Sequence, residues 1–187
     1  MQGIIFNLLE QFIVEQWGAE AYGSILGSCA LSTFEPLGQS SVRPDRDLVV
    51  IINRLAEVRG TTPAEVLRTF GRFAFPRLAA RHASWLLGHD SALSLLLAVE
   101  HVIHLEVRRR DEHARPPHFE FESLGPGIML LRYHSERKVC AMVAGMIDGV
   151  ADHFHTQIQC EEMKCSAKGA LCCEFRLTFA PVPVEAL

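Results

Sequence analysis

Apolar residues recur at the spacing of an α-helix through the first half of the chain. In residues 2–17 they fall on one face of a helix, and Gly18 ends the pattern. A capping box at Thr62 marks another helix start, and Pro76 is expected to end the helix that follows. The first half is therefore predicted to be helical, with helices over 2–17, 19–30, 45–59, 62–75, 77–87 and 91–110.

The pattern changes after the proline pair at 116–117. Residues 118–122 alternate between polar and apolar side chains, which is typical of a strand with one wet face. Such a mixture predicts an α+β fold, in which a helical N-terminal half packs on a smaller half with an antiparallel sheet. We expect one domain over 1–180 and a loose tail over 181–187, with further strands over 128–134, 156–162 and 173–180 and a helix over 136–155.

Composition adds the expectation of a large apolar interior. Of the 187 residues, 49% are hydrophobic, and the mean hydropathy is slightly positive, which suggests a large core or an internal apolar cavity. No run of apolar residues is long enough to predict a membrane span. The N-terminus lacks the pattern of a signal peptide, so a cytoplasmic location is expected. The net charge of −4 argues against nucleic acid as the main partner.

Three hydrogen-bonding side chains alternate at the end of the strand predicted over 128–134. Tyr133, Ser135 and Arg137 would point to the same side if the strand continues that far. The planar guanidinium matches a carboxylate, and the two hydroxyls add neutral donors. Together they predict a clamp for the acid groups of an otherwise apolar ligand. The alternative is a strand-to-helix junction in which Ser135 is the N-cap of the next helix.

Two histidines, His101 and His104, lie on the apolar helix predicted over 91–110. His104 stands between Ile103 and Leu105, and a neutral imidazole in an apolar wall is a good iron ligand. A histidine that is simply buried in the core is the alternative. The stiff pair of Pro116 and Pro117, a dozen residues later, is suited to wedge against a flat ligand.

In order and spacing, these features resemble the haem nitric oxide/oxygen binding (H-NOX) family over essentially the whole chain. The matching stretches are "MQGIIFNLLE", "FGRF" at 70–73, "HVIHLEV", the proline pair and Y-x-S-x-R. The resemblance implies b-type haem between a distal helical subdomain of about 1–64 and a haem-ligating α+β subdomain of about 65–180. It also implies the site residues: His104 as axial ligand, Pro117 pressing on the haem, and Tyr133, Ser135 and Arg137 holding the propionates.

The resemblance also bears on which gas is bound. Family members that hold oxygen stably use a tyrosine, a tryptophan and an asparagine at positions that correspond here to Met142, Leu9 and Ala74. None of these three side chains donates a hydrogen bond, and bound oxygen needs a donor much more than nitric oxide or carbon monoxide does. The resemblance therefore implies a nitric oxide sensor that does not retain oxygen, with Ile5, Leu78 and Met146 completing an apolar pocket.

The cysteines suggest a second metal. Five of the six, all but Cys29, lie in roughly the last quarter of the chain. Some bacterial relatives bind zinc there, and their ligand positions correspond to Cys140, Glu162, Cys165 and Cys173. Because glutamate replaces a histidine, Cys160 is the expected fourth ligand and Glu162 the alternative to it. A different interpretation is that Cys160 and Cys173 are buried core thiols.

The output of such a sensor is expected to pass to a separate protein. The sequence shows no kinase or cyclase pattern, and stand-alone relatives regulate a histidine kinase or a cyclic-di-GMP enzyme. An enzyme would need a distal acid–base pair, which positions 74, 78, 142 and 146 do not supply. No catalytic activity is therefore expected. The remaining alternative is a zinc and thiol redox sensor in which haem is secondary.

Overall fold

A computed structural model describes residues 3–32 and 44–180, so the expected loose tail lies outside the described residues. Within these ranges no helix is both long and apolar enough to cross a membrane. The predicted helical first half is confirmed, and one further helix lies between strands in the second half. The helices are α1 (Gly3–Trp17), α2 (Ala19–Gly27), α3 (Asp45–Arg59), α4 (Pro63–Arg81), α5 (Ala92–Ala98), α6 (Leu105–Arg110) and α7 (Cys140–His153).

Helix α4 begins as predicted but does not end at Pro76. Thr62 and Glu65 form the capping box, each bonding the other's backbone N–H. The helix then runs through Pro76 to Arg81 and is followed by a short 3-10 turn over Ala83–Trp85. The expected break was wrong because α4 packs along α7, α1 and α3, and this packing outweighs the lost helical hydrogen bond.

The helical stretch predicted over 91–110 is helical but not uniform. Helix α5 leads into a π turn (Val99–His104), and α6 continues from Leu105. Such wide turns are rare and are frequently found at functional sites. One face of this stretch is open to solvent, since Val102 is 50% and Leu105 38% exposed.

The sheet follows the predicted pattern with small shifts at its ends. Its strands are antiparallel and lie in the order β1-β2-β4-β3. Helix α7 begins at Cys140, four residues later than predicted, because Lys138 has a φ of 52°, which a right-handed helix does not allow. The strands are β1 (His118–Gly125), β2 (Ile128–His134), β3 (Ile158–Lys164) and β4 (Cys173–Phe179).

Helices α4 and α7 pack so closely that only glycine fits at their crossing. A Cβ atom on Gly145 would lie 1.9 Å from the backbone oxygen of Arg68, and one on Gly71 would lie 2.2 Å from that of Met142. Helix α7 separates two apolar clusters. Met142 belongs to the cluster formed with α1, α3 and α4, and Ile147 to the cluster formed with the sheet. The division into subdomains at about residue 64 stays a prediction.

Candidate functional site

His104 is the last residue of the π turn, and its side chain is only 13% exposed. Its Nδ1 lies 3.2 Å from Oε2 of Glu100, one turn earlier. Burial lowers the pKa of the imidazole, and the Glu100 carboxylate only partly opposes this effect. The ring is therefore neutral at pH 7 and can offer a nitrogen lone pair to a metal.

Pro117, predicted to press on the haem, lies beside the same ring. Its backbone carbonyl is close enough to the imidazole to oppose slightly the lowering of the pKa of His104. The Phe119 ring packs against the imidazole with 5.2 Å between ring centroids. His101, by contrast, is exposed. The structure therefore brings His104 and Pro117 together, and their roles toward a haem stay predictions.

Glu100 is a site residue that sequence reasoning missed. It is 7% exposed, and its carboxylate accepts hydrogen bonds from the Phe119 backbone N–H at 3.1 Å and from Arg108 at 3.0 Å. Burial opposes its ionisation, but these bonds and those of His104 and His118 hold its pKa at about 2. The i, i+4 spacing of Glu100 and His104 was the signal that could have found it.

Tyr133 and Ser135 meet as predicted, although the strand does not extend to Arg137. Tyr133 is buried at the end of β2, which raises the pKa of its phenol to about 12, and it hydrogen-bonds Ser135. Beyond His134 the chain turns, and the Ser135 hydroxyl oxygen accepts the Arg137 N–H at 3.2 Å. The alternative of a Ser135 N-cap was wrong, since α7 starts after Val139 without a side-chain cap.

The guanidinium of Arg137 already holds a carboxylate in this structure. Its Nε donates to Oδ2 of Asp45 at 2.9 Å, and its Nη1 donates to the backbone carbonyl of Arg115. Asp45 is the first residue of α3, so this ion pair joins the turn after β2 to the N-terminal helical half. The positive charge also lies close to the Tyr133 phenol. Arg137 thus lies near Tyr133 and binds a carboxylate of the chain itself, and its role as a clamp for a ligand stays a prediction.

The predicted distal residues share one apolar cluster. Leu9 and Ala74 are essentially inaccessible to solvent, and Met142 is 6% exposed. None of these side chains carries a hydrogen-bond donor. The partly buried members of the same cluster are Ile5, Leu78 and Met146.

Three of the four predicted cysteine ligands come together. The Sγ atoms of Cys140 and Cys165 are 3.4 Å apart, and those of Cys165 and Cys173 are 4.0 Å apart. A tetrahedral zinc with Zn–S bonds of about 2.3 Å needs sulfurs about 3.8 Å apart. The Ser166 backbone N–H lies 3.2 Å from the Cys173 sulfur and suits a thiolate there. We call these three cysteines the thiol cluster.

Cys160 lies outside the thiol cluster. It pairs with Leu177, four residues beyond Cys173 along β4, which corresponds to about 13 Å of strand. Its surroundings are the charged pair of Arg68 and Asp148, and burial raises its pKa to about 12.

The alternative ligand, Glu162, is the residue that reaches the thiol cluster. Its Oε2 lies 3.9 Å from the Cys140 sulfur, and its Oε1 accepts a hydrogen bond from Lys168. Burial and the neighbouring Cys165 raise the pKa of Cys140, so this thiol is protonated at pH 7 when no metal is bound.

The residues present fit a haem. A buried neutral imidazole suits the iron, the Arg137 clamp suits propionates, and the apolar cluster suits a macrocycle. The iron would supply the position at which a gas binds. His104 would hold it from one face, while Leu9, Ala74 and Met142 would keep the other face free of hydrogen-bond donors.

Comparison with family models gives a match to the haem-NO-binding family over residues 2–162. A solved H-NOX protein from S. oneidensis, in the Fe(II)NO ligation state, has 30% sequence identity and a TM-score of 0.90, covering 97% of this chain and 100% of that one. An NMR structure of the Shewanella oneidensis domain in the Fe(II)CO state has 30% identity and a TM-score of 0.86, with the same coverage.

A more distant structure shares the fold. The Fe(II) unliganded H-NOX protein from K. algicida has 19% identity and a TM-score of 0.87, covering 98% of both chains. A comparison with curated proteins found no match.

Proposed function

Because this chain belongs to the haem-NO-binding family, a family of haem-based gas-sensing domains, we propose that it senses nitric oxide at ferrous b-type haem, does not retain oxygen, and regulates a separate signalling protein. The observation that carries the proposal is the buried neutral imidazole of His104, held by Glu100 in an otherwise apolar wall. Metal-ligating histidines usually donate their other ring N–H to a carboxylate or carbonyl, and the pair of His104 and Glu100 has this arrangement.

The propionate clamp is proposed from the contacts of Arg137. Its guanidinium selects a carboxylate in this structure, and its fork geometry can hold a propionate in the same way. Tyr133 and Ser135 add hydroxyl donors within the same turn. The clamp would thus fix the polar edge of the haem while His104 holds one of its faces.

The preference for nitric oxide is proposed from the distal cluster. Oxygen at a ferrous iron takes up negative charge and needs a hydrogen-bond donor, whereas nitric oxide and carbon monoxide bind without one. Leu9, Ala74 and Met142 are buried and offer no donor. An oxygen-retaining pocket would need at least one polar side chain among these three positions.

The test is an absorption spectrum of the freshly reduced protein, first in air and then with nitric oxide. We expect air to leave the ferrous five-coordinate spectrum unchanged, and nitric oxide to shift it at once. A stable oxygen complex would contradict the assignment of the distal pocket. Met142→Tyr is the matched variant, because a phenol at this position would introduce the hydrogen-bond donor that bound oxygen needs.

Signalling is proposed to work through the π turn. His104 would hold the haem iron, and nitric oxide would supply a competing ligand there. Once freed, His104 would let the π turn with α6 shift against β1 and the Arg137 turn, and the position of Pro117 beside the imidazole would change with it. A sensor needs two such states that its ligand binds with different affinity. The partner that reads the shift is proposed to be a histidine kinase or a cyclic-di-GMP enzyme.

The thiol cluster is proposed to bind a structural zinc ion through Cys140, Cys165 and Cys173, with Glu162 as the fourth ligand. The sulfur spacing supports this assignment, and so does the Ser166 N–H at the Cys173 sulfur. Zinc accepts three thiolates and one carboxylate in a tetrahedral site. The redox alternative, in which haem is secondary, gains no support from the comparisons, which match haem-binding proteins.

A further inference from the structure

Glu100 stands out among the charged residues of the described ranges. Only it and Asp47 are buried charged side chains there. Asp47 accepts hydrogen bonds from the Ser32 backbone and hydroxyl, and so ties down the end of the segment after α2. Glu100 instead lies within the π turn and faces His104. A carboxylate is costly to bury, so its hydrogen bonds must compensate for the lost water.

Both oxygens of Glu100 are fully used. Oε2 lies 3.2 Å from Nδ1 of His104 and accepts the Phe119 N–H at 3.1 Å. Oε1 accepts from Arg108 at 3.0 Å and lies 3.3 Å from Nδ1 of His118. One carboxylate therefore touches the π turn, helix α6 and the start of strand β1. Its position is determined by all three, and it does not follow the imidazole freely.

We propose that Glu100 is the positioning residue of His104: its carboxylate keeps the proton on Nδ1, leaves the Nε2 lone pair for the iron, and couples the imidazole to the Phe119 N–H of β1. The inference rests on the proposed role of His104 as axial ligand. A carboxylate that accepts Nδ1–H makes the imidazole a stronger electron donor. Glu100 then opposes release of His104 and sets how readily nitric oxide triggers it.

The Oε2 atom of Glu100 would couple a movement of His104 to strand β1. Oε2 binds the imidazole and the β1 backbone at once, so a movement of His104 alters the hydrogen bond of Phe119. Arg108 holds the other oxygen and ties α6 to the same carboxylate. A purely structural ion pair between Glu100 and Arg108 would not need the imidazole contact.

The experiment compares Glu100→Ala and Glu100→Gln with wild type in the haem-loaded protein. The readouts are the iron–histidine stretching band in resonance Raman spectra, the rate of haem transfer to an excess of apomyoglobin, and the amide exchange of Phe119. Loss of an outer-shell partner typically weakens metal binding 10- to 100-fold, so we expect haem transfer from Glu100→Ala to be about 10- to 100-fold faster. The stretching band should move to lower frequency.

Glu100→Gln should shift the band less, because its amide oxygen still accepts from Nδ1–H. The matched control is Glu106→Gln, which removes a carboxylate from the neighbouring helix α6 that bonds Trp85 and Arg110 instead. Its band and transfer rate should equal those of wild type. Should Glu100→Ala fail to fold, the isosteric glutamine variant decides the question through the stretching band alone.

An unchanged band and an unchanged transfer rate in the Glu100 variants would overturn this inference. The His104→Gly variant separates that failure from a failure of the proposed function. If it loses haem while the Glu100 variants match wild type, only the role of Glu100 is wrong. If it retains haem with an unchanged spectrum, His104 is not the axial ligand and both proposals fail.

Discussion

The haem site and the thiol cluster hold their candidate ligands in opposite ways. His104 stands at the end of a π turn, on a helical stretch with an exposed face, and one carboxylate orients it. The three thiols are buried and come from the start of α7, the end of β3 and the start of β4. His104 is thus oriented by one side chain, that of Glu100, whereas the thiol cluster joins three separate segments of the backbone.

This difference separates signalling from stability. An axial histidine that must be released from iron needs a mobile support. The π turn can supply one, because the exposed Val102 leaves it with little packing on one side. A metal that ties the ends of α7, β3 and β4 together would instead make the C-terminal half rigid. Under the proposed function, this fixed frame would hold the haem at its Arg137 edge while the His104 side moves.

The largest effect is expected from loss of the proposed zinc site in the C-terminal half. Cys173→Ser should reduce zinc from about one ion per chain to almost none, as measured by metal analysis of reduced protein. The lost folding free energy would lower the Tm by about 2–4 °C for each kcal/mol in a chain of this size. The matched control is Cys160→Ser, which lies outside the thiol cluster and should keep the metal. Zinc loss in the control but not in Cys173→Ser would contradict the ligand set.

A smaller effect is expected at the fixed edge of the haem. Arg137→Ala removes charge-assisted hydrogen bonds worth about 1.5–3 kcal/mol, so haem should dissociate roughly 10- to 150-fold faster. The measurement is transfer of haem to apomyoglobin. Arg132→Ala is the control, because Arg132 pairs with Glu122 on the sheet and not with the clamp. Equal rates for the two variants would show that Arg137 does not hold the propionates.

The smallest effect is expected at Pro117, which is proposed to press on the haem beside His104. Pro117→Ala removes the stiff ring but keeps the carbonyl that contacts His104. We expect a flatter haem in resonance Raman spectra and less than about a tenfold change in the regulation of a partner, or ~1.4 kcal/mol. Pro116→Ala should leave both unchanged. The signalling mechanism would have to be abandoned if Pro117→Ala changed neither property and nitric oxide left His104 bound to the iron.

Patterns that act locally along the chain predicted most of the fold. The capping box at Thr62 and the alternation over 118–122 depend on neighbours in sequence, and both appear in the structure. The passage of α4 through Pro76 could not be predicted, since it depends on packing against other helices. The same holds for the buried charge of Glu100, whose partner Phe119 lies 19 residues away.

The fourth zinc ligand likewise could not be chosen from the sequence alone. Cys160 and Glu162 are two residues apart on one strand, and sequence spacing alone did not decide between them. The register of β3 against β4 places Cys160 opposite Leu177, and an irregularity between Glu162 and Lys164 follows it. His104 could be singled out from its own helical stretch, but its contact with Phe119 comes from strand β1 and its role as axial ligand stays a prediction.

The most direct test of the account is the haem content of His104→Gly beside that of His101→Gly. Both histidines lie in the π turn, but His104 is largely buried and His101 is exposed. We predict that His104→Gly purifies without haem unless imidazole is supplied, and that His101→Gly keeps about one haem per chain with the wild-type spectrum. Full haem content and an unchanged spectrum in His104→Gly purified without imidazole would contradict it.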